Sequence, residues 1–160
     1  MDNNKKTELY QELIQSIKNK IFTKDKLIEK NIYKTVIDQL ATLPHFHWTG
    51  IYLLDKESQE LNLDYYIGKP TEHIHIPVGK GVCGSAVSDH EDKVIEDVTK
   101  EANYLACSLE TRSEIVVLIE DNEKIIGQID VDSDEIGAFN KVDRNYLREI
   151  ASIIVKGLNN

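Results

Sequence analysis

Ser113 to Ser133 reads SEIVVLIEDNEKIIGQIDVDS, two apolar runs on either side of Asp121-Asn122-Glu123. Branched aliphatic residues in runs of this length, broken by a polar turn, predict a β-hairpin. In its second arm Asp130 and Asp132 flank Val131, so both carboxylates fall on one face of a strand. Upstream, Trp48, Ile51, Tyr52, Leu53 and Leu54 form one apolar run and Leu61, Leu63 and Tyr65 an alternating second, with DKESQE as the turn between them. His73 to Val78 alternates again, with both histidines on one face and both isoleucines on the other, and Lys93 to Val98 reads as a short strand. Asp97 to Cys107 reads as irregular. Helical periodicity brackets these strands. Leu9, Leu13, Ile14, Ile17 and Ile21 mark a first helix over Thr7 to Ile21. Leu27, Ile28, Ile32, Val36, Ile37 and Leu40 mark a second, from near Lys24 until Pro44 stops it. Val142, Tyr146, Leu147, Ile150, Ile153 and Ile154 mark a third from Lys141. The pattern predicts an α+β fold: one antiparallel sheet of about six strands flanked by N- and C-terminal helices.

No repeat or linker divides the 160 residues, so a single domain is expected, with a helical part over 7–43, a sheet and site region over 47–133 and a helix over 141–157. Lys+Arg 19 against Asp+Glu 28 gives a net charge of −9. That charge repels phosphate backbones and anionic lipid, so neither nucleic acid nor membrane is an expected partner. Met1 to Lys6 is polar and no apolar run reaches the length of a signal or spanning segment, which places the chain in the cytoplasm. In that reducing compartment Cys83 and Cys107 are either inert core thiols or chemistry. They lack further ligands at close spacing for zinc, and no metal or cofactor is expected.

Cys83 sits within GKGVCGSAV, Gly79 to Val87. A phosphate loop would need G-x-x-x-x-G-K-[ST], and Gly81 and Val82 follow Lys80 instead. A papain-type nucleophile would need Cys and an aromatic residue where Ala86 and Val87 stand. What the residues do allow is unusual backbone at Gly79 and Gly81 and a short helix opening at the cysteine. A thiol there meets unpaired N–H groups and the positive dipole end, which favour thiolate; a small buried cysteine packed in the core is the alternative.

HWTGIYLL, IPVGKGVCGSAV, EDV, AC, SEIVV and IIGQIDVDS occur in this order. From Trp48 to the C-terminus the chain resembles the GAF-domain enzymes of the free methionine-(R)-sulfoxide reductase family, including the separation of 24 in residue number between its cysteines. The resemblance implies reduction of the sulfoxide of free methionine, with thioredoxin or another thiol reductant restoring the enzyme. It implies Cys107 as the nucleophile that becomes a sulfenic acid, and a second thiol, Cys83, that condenses with it to a disulfide. It places the substrate carboxylates at Glu114, Asp130 and Asp132. An acidic cluster suits the ammonium of a free amino acid, and a member kept protonated could serve the departing oxygen. Trp48 and Tyr52, four apart on a strand, share a face and could wall a pocket for the methyl group, although periodicity alone favours ordinary core packing. A homodimer through the amphipathic N-terminal helices is expected from related proteins.

The chain departs from the family pattern in places. His73 stands ten positions before Cys83, where many members carry a further cysteine. Asp97-Val98-Thr99-Lys100-Glu101 and Asn103-Tyr104-Leu105-Ala106-Cys107 lack the family's two loop histidines. Either Cys83 or an external thiol then resolves the sulfenic acid. A GAF module that binds a small ligand without turnover is the alternative function, and a dimerising interaction module with incidental cysteines is a third.

Overall fold

The computed structural model describes residues 1–102, 104–105 and 109–160. Asp2 opens the first helix, α1 (Asn3–Ile21), by accepting the Lys5 N–H, and the helix buries Tyr10, Leu13, Ile14, Ile17 and Ile21. The second helix does not begin near Lys24. Lys24 and Asp25 take left-handed backbone (φ 51° and 64°) and turn a ribbon of β1 (Phe22–Thr23) and β2 (Lys26–Leu27). Helix α2 (Ile32–Leu40) starts only where the Asn31 side chain accepts the Lys34 N–H. Leu27 and Ile28 fit a helical period, but two left-handed residues cannot continue a helix.

The strands are β3 (Trp48–Asp55), β4 (Glu60–Ile67), β5 (His75–Pro77), β6 (Lys93–Ile95), β7 (Ser113–Asp121) and β8 (Lys124–Ser133). All pair antiparallel, in the order β5-β4-β3-β8-β7-β6. Helix α3 (Gly81–Asp89) joins β5 to β6, and α4 (Lys141–Leu158) follows β8. This is the six-stranded α+β sheet flanked by terminal helices that the sequence predicts. The strand expected over His73 to Val78 is only three residues long: Ile76 is buried, but Ile74 is exposed. β6 also ends early, because Asp97 caps a 3₁₀ turn over Val98–Lys100 through the Thr99 N–H.

Ile51, Ile115, Val117, Ile119, Ile129 and Val131 point to one side of the sheet and pack against α1, α2 and α4. Each such side chain, fully buried, contributes about 1.5–3 kcal/mol, so this face anchors the fold. Trp48, Tyr52, Val116 and Leu118 point to the other side, under α3 with its Val82, Cys83 and Ala86. The polar face of β8 lies on that second side, in the middle of the sheet.

Candidate functional site

The sheet register assembles the site. Asp132 lies opposite Trp48 on β3 and opposite Glu114 on β7, while Asp130 lies opposite Gly50 and Val116. Because alternate residues share a face, Glu114, Asp130, Asp132, Trp48 and Tyr52 all line the side covered by α3. The three acids are buried, at 3%, 0% and 1% exposure. The solvated edge that would explain two aspartates without a function is therefore ruled out: β8 is central.

Over the acids stands α3. Cys83 is buried on its first turn, with Sγ 3.8 Å from Glu114 Oε2. Ligand atoms of Cys83, Glu114 and Asp130 lie within 4.8 Å of one another, so each could offer one atom to a cation. Burial first, then the charges of Asp130 and Asp132, push the Glu114 carboxyl well above its ordinary value. Asp130 is also raised by burial, but the hydrogen bonds from Glu114 and Cys83 oppose the rise. Glu114 is thus the member that keeps a proton. The thiol of Cys83 faces carboxylates as well as the helix N-terminus, so the dipole is not its only electrostatic neighbour.

The glycines around Cys83 serve docking. Gly81 takes φ +64°, and a Cβ there would lie 2.9 Å from the Leu105 side chain. A Cβ on Gly84 would lie 2.4 Å from the Pro77 carbonyl oxygen. Only a chain without side chains at these points lets α3 sit against β5 and lets Leu105 close over it. Cys107 lies outside the described residues.

An aromatic wall flanks the acids. Trp48 stacks on Tyr66 at 5.3 Å and lies at 6.4 Å from Tyr52, and both Trp48 and Tyr52 are fully buried. Tyr52 donates its hydroxyl to the His73 carbonyl at 2.7 Å, so His73 holds this wall through its backbone. The indole N–H donates to the Lys69 carbonyl at 3.1 Å. Gly50 and Gly68 leave room for the indole, which lies within 2.6 Å of where either Cβ would be. A cavity of about 40 Å³ opens between Trp48 and Asp132, bordered by Lys69 and Glu110. A smaller space of about 10 Å³ lies between Cys83, Glu114 and Leu105.

Sequence inspection overlooked Gln128, Lys69 and Glu110. Gln128 has a signal, since it continues the polar alternation of Asp130 and Asp132 and is fully buried on the same strand face. Lys69 and Glu110 have none, because only the folding of the Gly68-Lys69-Pro70 loop onto Trp48 brings them there.

A GAF-domain family profile matches residues 29–159. The chain is 33% identical to the free methionine-R-sulfoxide reductase of Escherichia coli over 153 residues, covering 96% of this chain and 90% of that one. Its structure is similar to that of free methionine-R-sulfoxide reductase from Neisseria meningitidis in complex with its substrate, with a TM-score of 0.85, 31% identity and coverage of 94% and 88% of the two chains. It is similar also to reduced fRMsr of Staphylococcus aureus, with a TM-score of 0.83, 36% identity and coverage of 93% and 94%. No helix among the described residues is long and apolar enough to cross a membrane.

Proposed function

The chain belongs to the GAF-domain free methionine-(R)-sulfoxide reductase family, and from that membership we propose that it reduces the (R)-sulfoxide of free L-methionine with a cysteine thiol. The observation that carries the proposal is the buried Cys83–Glu114–Asp130 cluster beside an aromatic wall, a thiol set against an acid that keeps its proton. In the first step Cys107, the nucleophile by family resemblance, attacks the sulfoxide sulfur. Oxygen passes to the cysteine as sulfenic acid and methionine leaves. Glu114 holds a proton where the oxygen develops negative charge. In the second step the Cys83 thiol condenses with the sulfenic acid; an S–S bond forms and water leaves. Together, methionine sulfoxide and two thiols give methionine, a disulfide and water. Thioredoxin or another thiol reductant returns the disulfide to thiols. Trp48 and Tyr52 hold the methyl end, and the carboxylates hold the ammonium. Cytoplasmic location and a homodimer through the N-terminal helices belong to the same proposal.

Single-turnover release of methionine from the pre-reduced protein tests this, with diastereomers separated and protein thiols counted afterwards. Loss of the R form alone with two thiols consumed is expected. Cys107→Ser removes turnover, whereas Cys83→Ser keeps the first turnover and leaves a sulfenic acid for external thiol. The reverse pattern exchanges the two roles. Binding of methionine sulfoxide without turnover would reassign the protein as a ligand-binding GAF module.

A further inference from the structure

A free amino acid carries its ammonium and carboxylate on one carbon, so an acidic and a basic side chain as close neighbours would make a site selective for it. Among the described residues, the charged groups of the buried floor are all acids: Glu114, Asp130 and Asp132. The base stands at the rim of the cavity between Trp48 and Asp132, where Lys69 forms an ion pair with Glu110. His47 also borders this cavity, but its Nδ1 accepts the Asp134 N–H at 2.8 Å, so it presents at most its other nitrogen. Lys69 therefore brings the full positive charge.

We propose that Lys69 is a specificity-determining residue that binds the α-carboxylate of the substrate, and that the Lys69–Glu110 pair is the closed form of the site, in which Glu110 occupies the place of that carboxylate. The proposal rests on the reductase function above. Two features fix Lys69 in this role. Its own carbonyl accepts the indole N–H of Trp48, so the lysine is tied to the wall that holds the methyl end. Pro70 follows it and restricts its backbone. The cavity itself, about 40 Å³, holds a water or two and is far smaller than a ligand pocket. Entry of substrate needs the rim to open. The pair at the rim is solvent-exposed on both sides, 63% and 56%, and such pairs add little stability, so one carboxylate can readily replace another.

The test compares free methionine sulfoxide with its α-amide, which lacks the carboxylate, on wild-type protein, Lys69→Met, Lys69→Arg and Glu110→Gln. Lys69→Met should raise KM for the free amino acid roughly 10- to 100-fold, as loss of a charge-assisted hydrogen bond does, with little change in kcat. KM for the amide should be the same in wild type and Lys69→Met. Lys69→Arg should recover most of the lost affinity, and Glu110→Gln should lower KM by removing the competing carboxylate. An equal loss on both substrates would make Lys69 a loop-holding residue, and no loss on either would remove it from the site. Both outcomes overturn the inference while leaving the reductase function standing. Wild-type protein that neither binds nor reduces methionine sulfoxide would overturn both.

Discussion

Glu114 and Asp130 are buried carboxyl groups with oxygens within 4.8 Å of each other and of the Cys83 sulfur, in a place water does not reach. Keeping such a group ionised is costly, so the pair stays partly protonated at a pH where exposed acids are not. A reducing thiol benefits, because the oxygen it removes needs protons. The fold does not. Glu114→Gln removes the titrating proton and the cost of ionisation while keeping the shape, and it should stabilise the protein by about 1–2 kcal/mol, or roughly 2–8 °C in Tm. Sulfoxide reduction should fall about 10²-fold or more, the usual share of general acid catalysis. Thermal denaturation and single-turnover rates on the same variant check both; a variant that is active and no more stable would show that Glu114 neither titrates nor donates. At this scale the sequence was informative about position, and only its resemblance to a family suggested a role. The alternation of Gln128, Asp130 and Asp132 can be read directly, since a strand has period two. Which acid keeps the proton follows from burial first, and then from the β7–β8 pairing, which brings Asp130 and Asp132 up to Glu114. No local pattern encodes that pairing.

Helix α3 is the element that brings sulfur to these acids, and its placement depends on contacts a side chain would forbid. The Gly84 N–H donates to the Lys80 carbonyl, and the Gly79 N–H donates to the Gly84 carbonyl at 2.9 Å, folding the loop back on the helix start. Gly84→Ala puts a methyl 2.4 Å from the Pro77 oxygen, which is backbone and cannot turn aside. The helix must lift away from β5. The expected cost is about 1–3 kcal/mol, with loss of the disulfide-forming step because Cys83 leaves the cluster. Urea denaturation and thiol counting after one turnover test this; normal stability and two consumed thiols would show that α3 docks without this glycine. Element by element, the long periodic segments were legible: α1, α4 and both hairpins follow from apolar spacing. The failures were short. Leu27 and Ile28 match a helical period by coincidence, and the left-handed Lys24 and Asp25 decide for a ribbon. Val98 looks like the end of a strand, but the Asp97 side chain captures the Thr99 N–H and bends the chain away. In each case a local hydrogen bond or dihedral outweighed hydrophobic spacing.

Across the whole molecule, the site's cost is set against a second buried cluster behind the sheet, where the two ends of the chain meet. Asp143 at the start of α4 accepts Lys6 Nζ at 2.6 Å, the Tyr10 hydroxyl at 2.7 Å, His45 Nε2 at 2.8 Å and the Asn140 N–H at 2.9 Å. Lys6 also donates to the Ala138 carbonyl at 2.7 Å. This group joins α1, the segment leading into β3 and α4. Burial alone would push the Asp143 carboxyl up, but the hydrogen bonds from His45, Lys6, Tyr10 and Asn140 outweigh it and hold the group below its ordinary 3.8. Linkage then gives opposite signs for the two clusters. A lowered acid contributes stability above its unfolded pKa and loses it as pH falls through the folded value. Raised acids such as Glu114 and Asp130 contribute most below their unfolded values, and that contribution is lost as pH rises through their folded values. Acidifying from neutral should therefore first raise Tm, as the site takes up protons, and then lower it below about pH 4, where Asp143 binds a proton more readily in the unfolded chain than in the folded one. Glu114→Gln should flatten the rise and spare the acid fall. Asp143→Asn should leave Lys6 buried without its counter-charge, lower stability at pH 7 by roughly 3–5 kcal/mol and shrink the acid fall. Circular dichroism melts from pH 3 to 8 on the three proteins separate the contributions. An acid fall of equal depth in Asp143→Asn would place the acid-labile group elsewhere.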